Sequence, residues 1–197
     1  MTTPADEGIV AAHADTTREQ KQQLRSAVAK SLQDQHPELT PNTGNALIVA
    51  AKNLRVELKA AFTGVKFTVR TSRFSMGNDL RVGWTDGPTT KQVDAVADKY
   101  SGGSFDGMED IYNYSDTPWT DAFGSAKFVS TCRSDSDEAI ADAIAALKSK
   151  YNADIVLTVE DYKMGRAWQS TPMSGAAGEQ HWSWQSMIGR KLAETAR

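Results

Sequence analysis

The sequence is poor in the residues that build metal sites and covalent staples. Cys132 is its single cysteine, which excludes an intramolecular disulfide and any cysteine-based zinc framework. So little thiol fits a reducing compartment, and the cytoplasm of a bacterial host is the expected location. The three histidines, His13, His36 and His181, show no HxxxH or HxH spacing, so the pattern offers no histidine metal site. A Cys132–His181 nucleophilic pair would need an open thiol beside the ring. Cys132 instead shares strand parity with Ala126, Phe128 and Ser130 and reads as a small core residue. GxxxxGK[ST], GxSxG and GxGxxG do not occur, and Gly102-Gly103 reads as a helix stop. No stretch approaches the roughly 18–20 apolar residues of a membrane span. The opening "MTTPADEGIVAAHADTTREQ" lacks a basic start followed by an apolar run, so no signal peptide is expected. No cofactor is implied.

Charge is also missing in either extreme. The net charge is −3 with a pI near 5.6. A protein that coats duplex DNA is usually basic, and a DNA mimic must copy a dense phosphate array with far more acid than this. Any electrostatic function must therefore be local. With 40% hydrophobic and 24% charged residues among 197, the chain has ordinary globular composition and enough length for a core.

The pattern divides the chain into a partly helical N-terminal extension over residues 1–40, an α+β core over 41–151 and a C-terminal extension over 152–197. Residues 1 to about 14 read as loose. Thr16–Gln35 reads as a helix with a narrow stripe of Leu24, Val28 and Leu32, suited to docking. A second helix is expected to start between Thr40 and Asn45, with Pro41 in its first turn. Leu47, Ala50, Ala51, Leu54, Leu58 and Phe62 form its core face, and Gly64 ends it. Val65, Phe67 and Val69 alternate with Lys66, Thr68 and Arg70, and Leu80, Val82 and Trp84 alternate with Asp79, Arg81 and Gly83. These are two strands of an antiparallel hairpin, with Gly77-Asn78 supplying the turn.

A helix capped by Thr85 or Asp86 should follow, with Val93, Val96, Ala97 and Tyr100 buried. "MEDIYNY" and "AKFVSTCR" read as further strands around a loop, "SDTPWTDAFGS". Ser134 and Asp137 suggest a capping box for the next helix, whose stripe is Ile140, Ile144, Leu147 and Tyr151. "ADIVLTV" suggests a strand, Thr158 the cap of a short helix, and "HWSWQSMIGRKLAETA" a final helix. The expected architecture is a mainly antiparallel four-stranded sheet with helices on one face, a (ββα)2-like core with helical N- and C-terminal extensions.

Three groups of residues have chemistry to offer. Asp106, Glu109 and Asp110 are carboxylates that would suit Mg²⁺ or acid–base work, but no other ligand spacing supports such a site, and a turn at Asp106-Gly107 with two solvated acids is the favoured reading. Arg70, Arg73 and Arg81, with Tyr112, Tyr114, Trp119 and Phe123, would suit single-stranded nucleic acid through charge and stacking, but a satellite core under a long loop and a solvated strand face is the favoured reading of the same residues. Trp182 and Trp184 lie two apart and cannot share one helix face, so one core residue and one exposed partner contact, Trp182, are expected.

The run "GVKFTVRTSRFS…LRVGWTDGPTTKQVDAVADKY…FDGMEDIYNY", continued by "PWTDAFGSAKFVSTCRSDSDEAIADAI", resembles the large polyvalent protein associated domains of type twenty-nine. The resemblance covers residues 45 to 150, and its most specific pieces are "WTDGPT" and "FDGM". It implies an origin in phages and conjugative elements, and a role in helping incoming DNA establish itself, including by blunting host defences. It carries over no catalytic residues. The expectation is a non-enzymatic protein that binds a host defence complex, as an anti-CRISPR or anti-restriction inhibitor does. The alternative is an accessory protein that binds nucleic acid.

Overall fold

The computed structural model describes residues 4–106, 108, 111–114, 117–168 and 183–196, with the backbone path alone for 4–17, 104–106 and 111–114. Its elements are α1 (Pro4–Gln35), α2 (Ala46–Ala61), β1 (Thr68–Phe74), β2 (Gly77–Thr85), α3 (Thr90–Ala97), a 3-10 turn (Asp98–Tyr100), β3 (Gly103–Asp106), β4 (Ile111–Tyr114), α4 (Pro118–Phe123), β5 (Phe128–Ser134), α5 (Asp137–Tyr151), α6 (Val159–Lys163) and α7 (Trp184–Glu194).

The class is α+β, but the expected four-stranded antiparallel sheet and its (ββα)2-like plan do not form. A three-stranded sheet has the order β1-β2-β5, and β3 with β4 makes a separate two-stranded sheet. The segment expected to be a sheet strand, Ile111–Tyr114, pairs with the strand just before it, from Gly103↔Tyr114 to Asp106↔Ile111. Closing so short a loop costs little chain entropy, and the local hairpin wins. The three-stranded sheet is mixed. β1 and β2 are joined by only Ser75 and Met76 and must run antiparallel. β5 runs with β2: Asn78 Oδ1 accepts from Lys127 N–H at 2.7 Å, Gly83 faces the Cys132 carbonyl, and Asp86 N–H donates to Ser134 O at 2.9 Å. The turn therefore falls at Ser75-Met76, and Gly77-Asn78 opens β2.

The chain divides into two compact units, Met1–Leu58 with Val69–Arg81 and Val96–Ser130, and Lys59–Thr68 with Val82–Ala95 and Thr131–Arg197. In the first, Leu47, Ala50, Ala51, Leu54 and Leu58 of α2 are buried as their spacing predicts. The helix starts at Ala46 rather than near Thr40. Thr40 lies six residues before it, where its backbone is held by Asn53: Thr40 N–H donates to Oδ1 at 2.8 Å, and Nδ2 donates to Thr40 O at 2.8 Å. Asn53 Nδ2 also donates to Phe123 O at 3.1 Å, so one fully buried amide ties three chain segments together. Replacing Asn53 with alanine strands those backbone groups and should cost about 3 kcal/mol in urea unfolding. Lys52→Ala, one residue away and exposed, is the reference, and equal midpoints for the two variants would refute the role.

α1 reaches back to Pro4, since helix formers fill residues 5–12 and Gly8 alone costs only about 1 kcal/mol against alanine. Its docked face is not the leucine-valine stripe, for Leu24 is 67% exposed and Val28 is also exposed. Arg25 instead forks onto Asp121 of α4, with Nε–Oδ2 at 3.0 Å and Nη2–Oδ1 at 2.9 Å, and Gln33 Nε2 donates to Ala122 O at 3.1 Å. α4 lies where a loop is expected. Thr117 caps it by accepting from Thr120 N–H, while Thr120 Oγ1 accepts from Thr117 N–H, and Pro118 fills the first turn.

In the second unit Ser136, not Ser134, caps α5, accepting from Ala139 N–H at 3.1 Å. Ser134 remains a strand residue whose carbonyl is engaged by Asp86. α3 is likewise capped by Thr89, whose hydroxyl accepts from Gln92 N–H while Gln92 Oε1 accepts from Thr89 N–H at 2.8 Å. Asp86 and Gly87, with φ of 54° and 69°, make the turn before it. Residues 153–157 form no strand; Ala153 and Ile155 pack on a core of Ile140, Ile144, Leu147, Leu157, Trp184, Ile188 and Leu192. α6 is capped by Thr158, as its sequence predicts.

Candidate binding surface

β1 alternates with Val69 inward and Arg70 outward, and β2 with Leu80 and Val82 inward and Arg81 outward. Arg70 and Arg81 each lie five residues from the hairpin turn and share the exposed face. Arg81 Nη2 stands 3.5 Å from Asp79 Oδ2, which reduces the charge there. Arg73 has the other parity and is exposed, yet it bends toward the start of α2, where Nη2 donates to Asn45 Oδ1 at 2.7 Å. The three arginines therefore do not form one basic patch.

Trp119 lies in an aromatic nest and is only half-exposed. Phe123, His36 and Tyr100 surround its ring at centroid distances of 4.8, 5.2 and 6.1 Å, and Lys99 Nζ sits 4.1 Å above it. Glu57 accepts from both Lys99 Nζ and the Tyr100 hydroxyl. Burial, then the hydrogen bond and charge of Glu57, push the Tyr100 hydroxyl well above the ordinary tyrosine range. It stays protonated and serves as a fixed donor. Tyr112 and Tyr114 lie on β4, opposite Phe105 and Gly103, and their side chains fall outside the described residues. Trp182, Glu109, Asp110 and the side chain of Asp106 fall outside them too. Among the described residues, no three acidic, cysteine or histidine side chains gather as a metal site would require. Cys132 is exposed, which corrects its reading as a core thiol. In β5 the residues between its parity mates turn inward, and Thr131 donates to Asp94 Oδ1 at 2.5 Å.

The hairpin tip carries a different cluster. Phe74 is 48% exposed and Met76 is 75% exposed, and both lie at the turn. The Phe74 ring stacks on Phe128 at 6.0 Å and 19°. Lys127 Nζ reaches across to donate to Met76 O at 2.9 Å and lies 5.4 Å from the Phe128 centroid. Two stacked aromatics and a methionine at one tip make an apolar contact area with a lysine at its edge, and phenylalanine and methionine are enriched at protein interfaces. The sequence contained the signal, since Phe74 and Met76 sit just outside the inward alternation that ends at Val69.

A model of large polyvalent protein associated domain 29 matches residues 47–153. The chain belongs to that family. It is therefore a phage- or mobile-element-associated protein. No curated protein and no solved structure matches it. Within the matched range, the WTDGPT segment is structural. Trp84 is buried and its Nε1 donates to Pro88 O at 3.0 Å, Asp86 Oδ1 accepts from Ser136 N–H at 3.0 Å, and Gly87 leaves room for Val65, whose Cγ2 would stand 2.9 Å from a Cβ. That segment thus builds a turn, and the hairpin tip lies outside it but within the matched range. Among the described residues, no helix is long and apolar enough to cross a membrane.

Proposed function

We propose that this LPD29 protein acts by binding rather than by chemistry, and that it occludes a surface of a host defence complex on behalf of a mobile element. The exposed Phe74, stacked on the half-buried Phe128, with the exposed Met76 at the same turn, is the observation that carries the reading. Large apolar side chains at a turn cost solubility, and a partner that covers them repays that cost. The Lys127 bond to Met76 O holds the tip in shape, so little order has to be gained on binding. The family supports the mobile-element setting.

The test is capture from bacterial lysate with tagged protein, with and without nuclease, followed by mass spectrometry. A single host complex should survive nuclease on the native bait. It should be lost with Phe74→Ser and Met76→Ser, each weakening affinity by about thirty-fold, or about 2 kcal/mol, as hot-spot positions do. Retention that disappears with nuclease alone would replace this reading with a nucleic-acid one. Capture unchanged by both variants would place the contact elsewhere.

A further inference from the structure

α1 and α4 enclose a groove of about 820 Å³, lined among others by Arg18, Lys21, Arg25, Lys30 and Asp121. Arg18, Lys21 and Arg25 follow one another at i, i+3 and i+7 and lie along one side of the helix. Lys30 comes from its other flank, and Ala29, buried and small, forms the floor. Arg25 and Asp121 neutralise each other through their forked bond. Three cations remain, and among the described residues Arg18, Lys21 and Lys30 have no carboxylate partner. This is a concentrated positive groove in a chain whose net charge is −3. A surplus of that kind is what a local, phosphate-directed site requires.

We propose that this groove binds the backbone of single-stranded nucleic acid. The cations of α1 run from Arg18 to Lys30, twelve residues or about 18 Å of helix, which covers roughly three phosphates of an extended strand. Asp121 of α4 stands on the other side of the groove, where its bond to Arg25 leaves the cations of α1 to meet the strand. Gln22 and Ser26 also line the groove and supply neutral donors. Among the described residues no aromatic ring lines it, so the contacts are to phosphate and carry no sequence preference. The site is separate from the hairpin tip and stands or falls independently of it.

The full chain is titrated against a fluorescent thirty-nucleotide oligothymidine by anisotropy, over a series of salt concentrations. Binding at low salt should weaken with a slope near −2 in log K against log salt, the value for about three phosphates on a single strand. Arg18→Glu with Lys21→Glu should weaken it at least tenfold, and Lys30→Glu, on the other flank, should weaken it independently. Arg70→Glu with Arg81→Glu should leave it unchanged. These side chains are exposed, and circular dichroism checks that each variant is folded. No binding at low salt, binding insensitive to the α1 reversals, equal affinity for a duplex of the same length, or equal displacement by polyglutamate would each overturn the proposal.

Discussion

Replacing Gly124 with alanine should destabilise the first unit by about 4 kcal/mol, the sum of a forbidden backbone conformation and an overpacked contact. Gly124 ends α4 at φ 84° and ψ 170°, a region essentially closed to residues with a side chain. A Cβ built there presses into the Ala46 carbonyl oxygen and stands 3.0 Å from Ala50 N. Those atoms belong to the first turn of α2, and a helix backbone cannot swing aside as a side chain would. Neighbouring bonds add to the constraint, because Asn42 N–H donates to Ala122 O at 2.8 Å and Asn53 holds Phe123 O. The measurement is the urea midpoint of Gly124→Ala against Gly44→Ala, whose Cβ would meet nothing within 4 Å. Similar midpoints would mean that α2 and α4 do not approach as closely as described.

Much of the secondary structure was legible because helix and strand periods are local properties. The stripe of Leu47, Ala50, Ala51, Leu54 and Leu58 predicts the buried face of α2, whereas the alternation of Val65, Phe67 and Val69 places the strand too early: β1 begins at Thr68 and of the three only Val69 lies in it, facing inward. Strand pairing was not legible. Ile111–Tyr114 has the same composition whether it joins a large sheet or folds back on Gly103–Asp106, and only competition between partners decides. The direction of β5 was hidden for the same reason. Caps were displaced: Thr40 was an adequate cap by residue type, but its backbone is held by Asn53, six residues before the helix starts. α4 was missed because its reciprocal cap uses Thr120 in place of the usual glutamate or glutamine, and the helix has only six residues.

The site was less legible than the fold. A cluster of arginines in sequence suggested one basic surface, yet period-two geometry sends Arg73 away from Arg70 and Arg81. Trp119 looked like a loop aromatic and instead roofs a nest with Lys99 and Tyr100. What exposes Phe74 and Met76 is the position of the turn, two residues earlier than the Gly-Asn pair suggested. The basic groove of α1 was overlooked because its counter-wall, Asp121, lies 96 residues away in the chain.

Replacing Trp184 with alanine should cost about 4 kcal/mol, as removal of a large buried aromatic does. Trp184 is the first residue of α7, and it is fully buried among Ile140, Ile144, Leu147, Ile188 and Leu192. Ser183 fixes the helix start by accepting from Ser186 N–H at 3.2 Å, and Gln185 N–H is held by Ala167 O at 2.8 Å. At the far end Arg133 donates to Leu192 O and Thr195 O at 2.9 and 3.0 Å. With both ends of α7 pinned, the helix cannot slide inward, and the cavity persists at full cost. Trp168 is the control of the same residue type. It is 71% exposed, and its alanine variant should stay within about 0.5 kcal/mol of the native chain. Amide exchange should then show α5 and α7 losing protection in Trp184→Ala alone. Equal protection in the two variants would mean that Trp184 does not anchor this core, and that α7 is held by its end bonds rather than by burial.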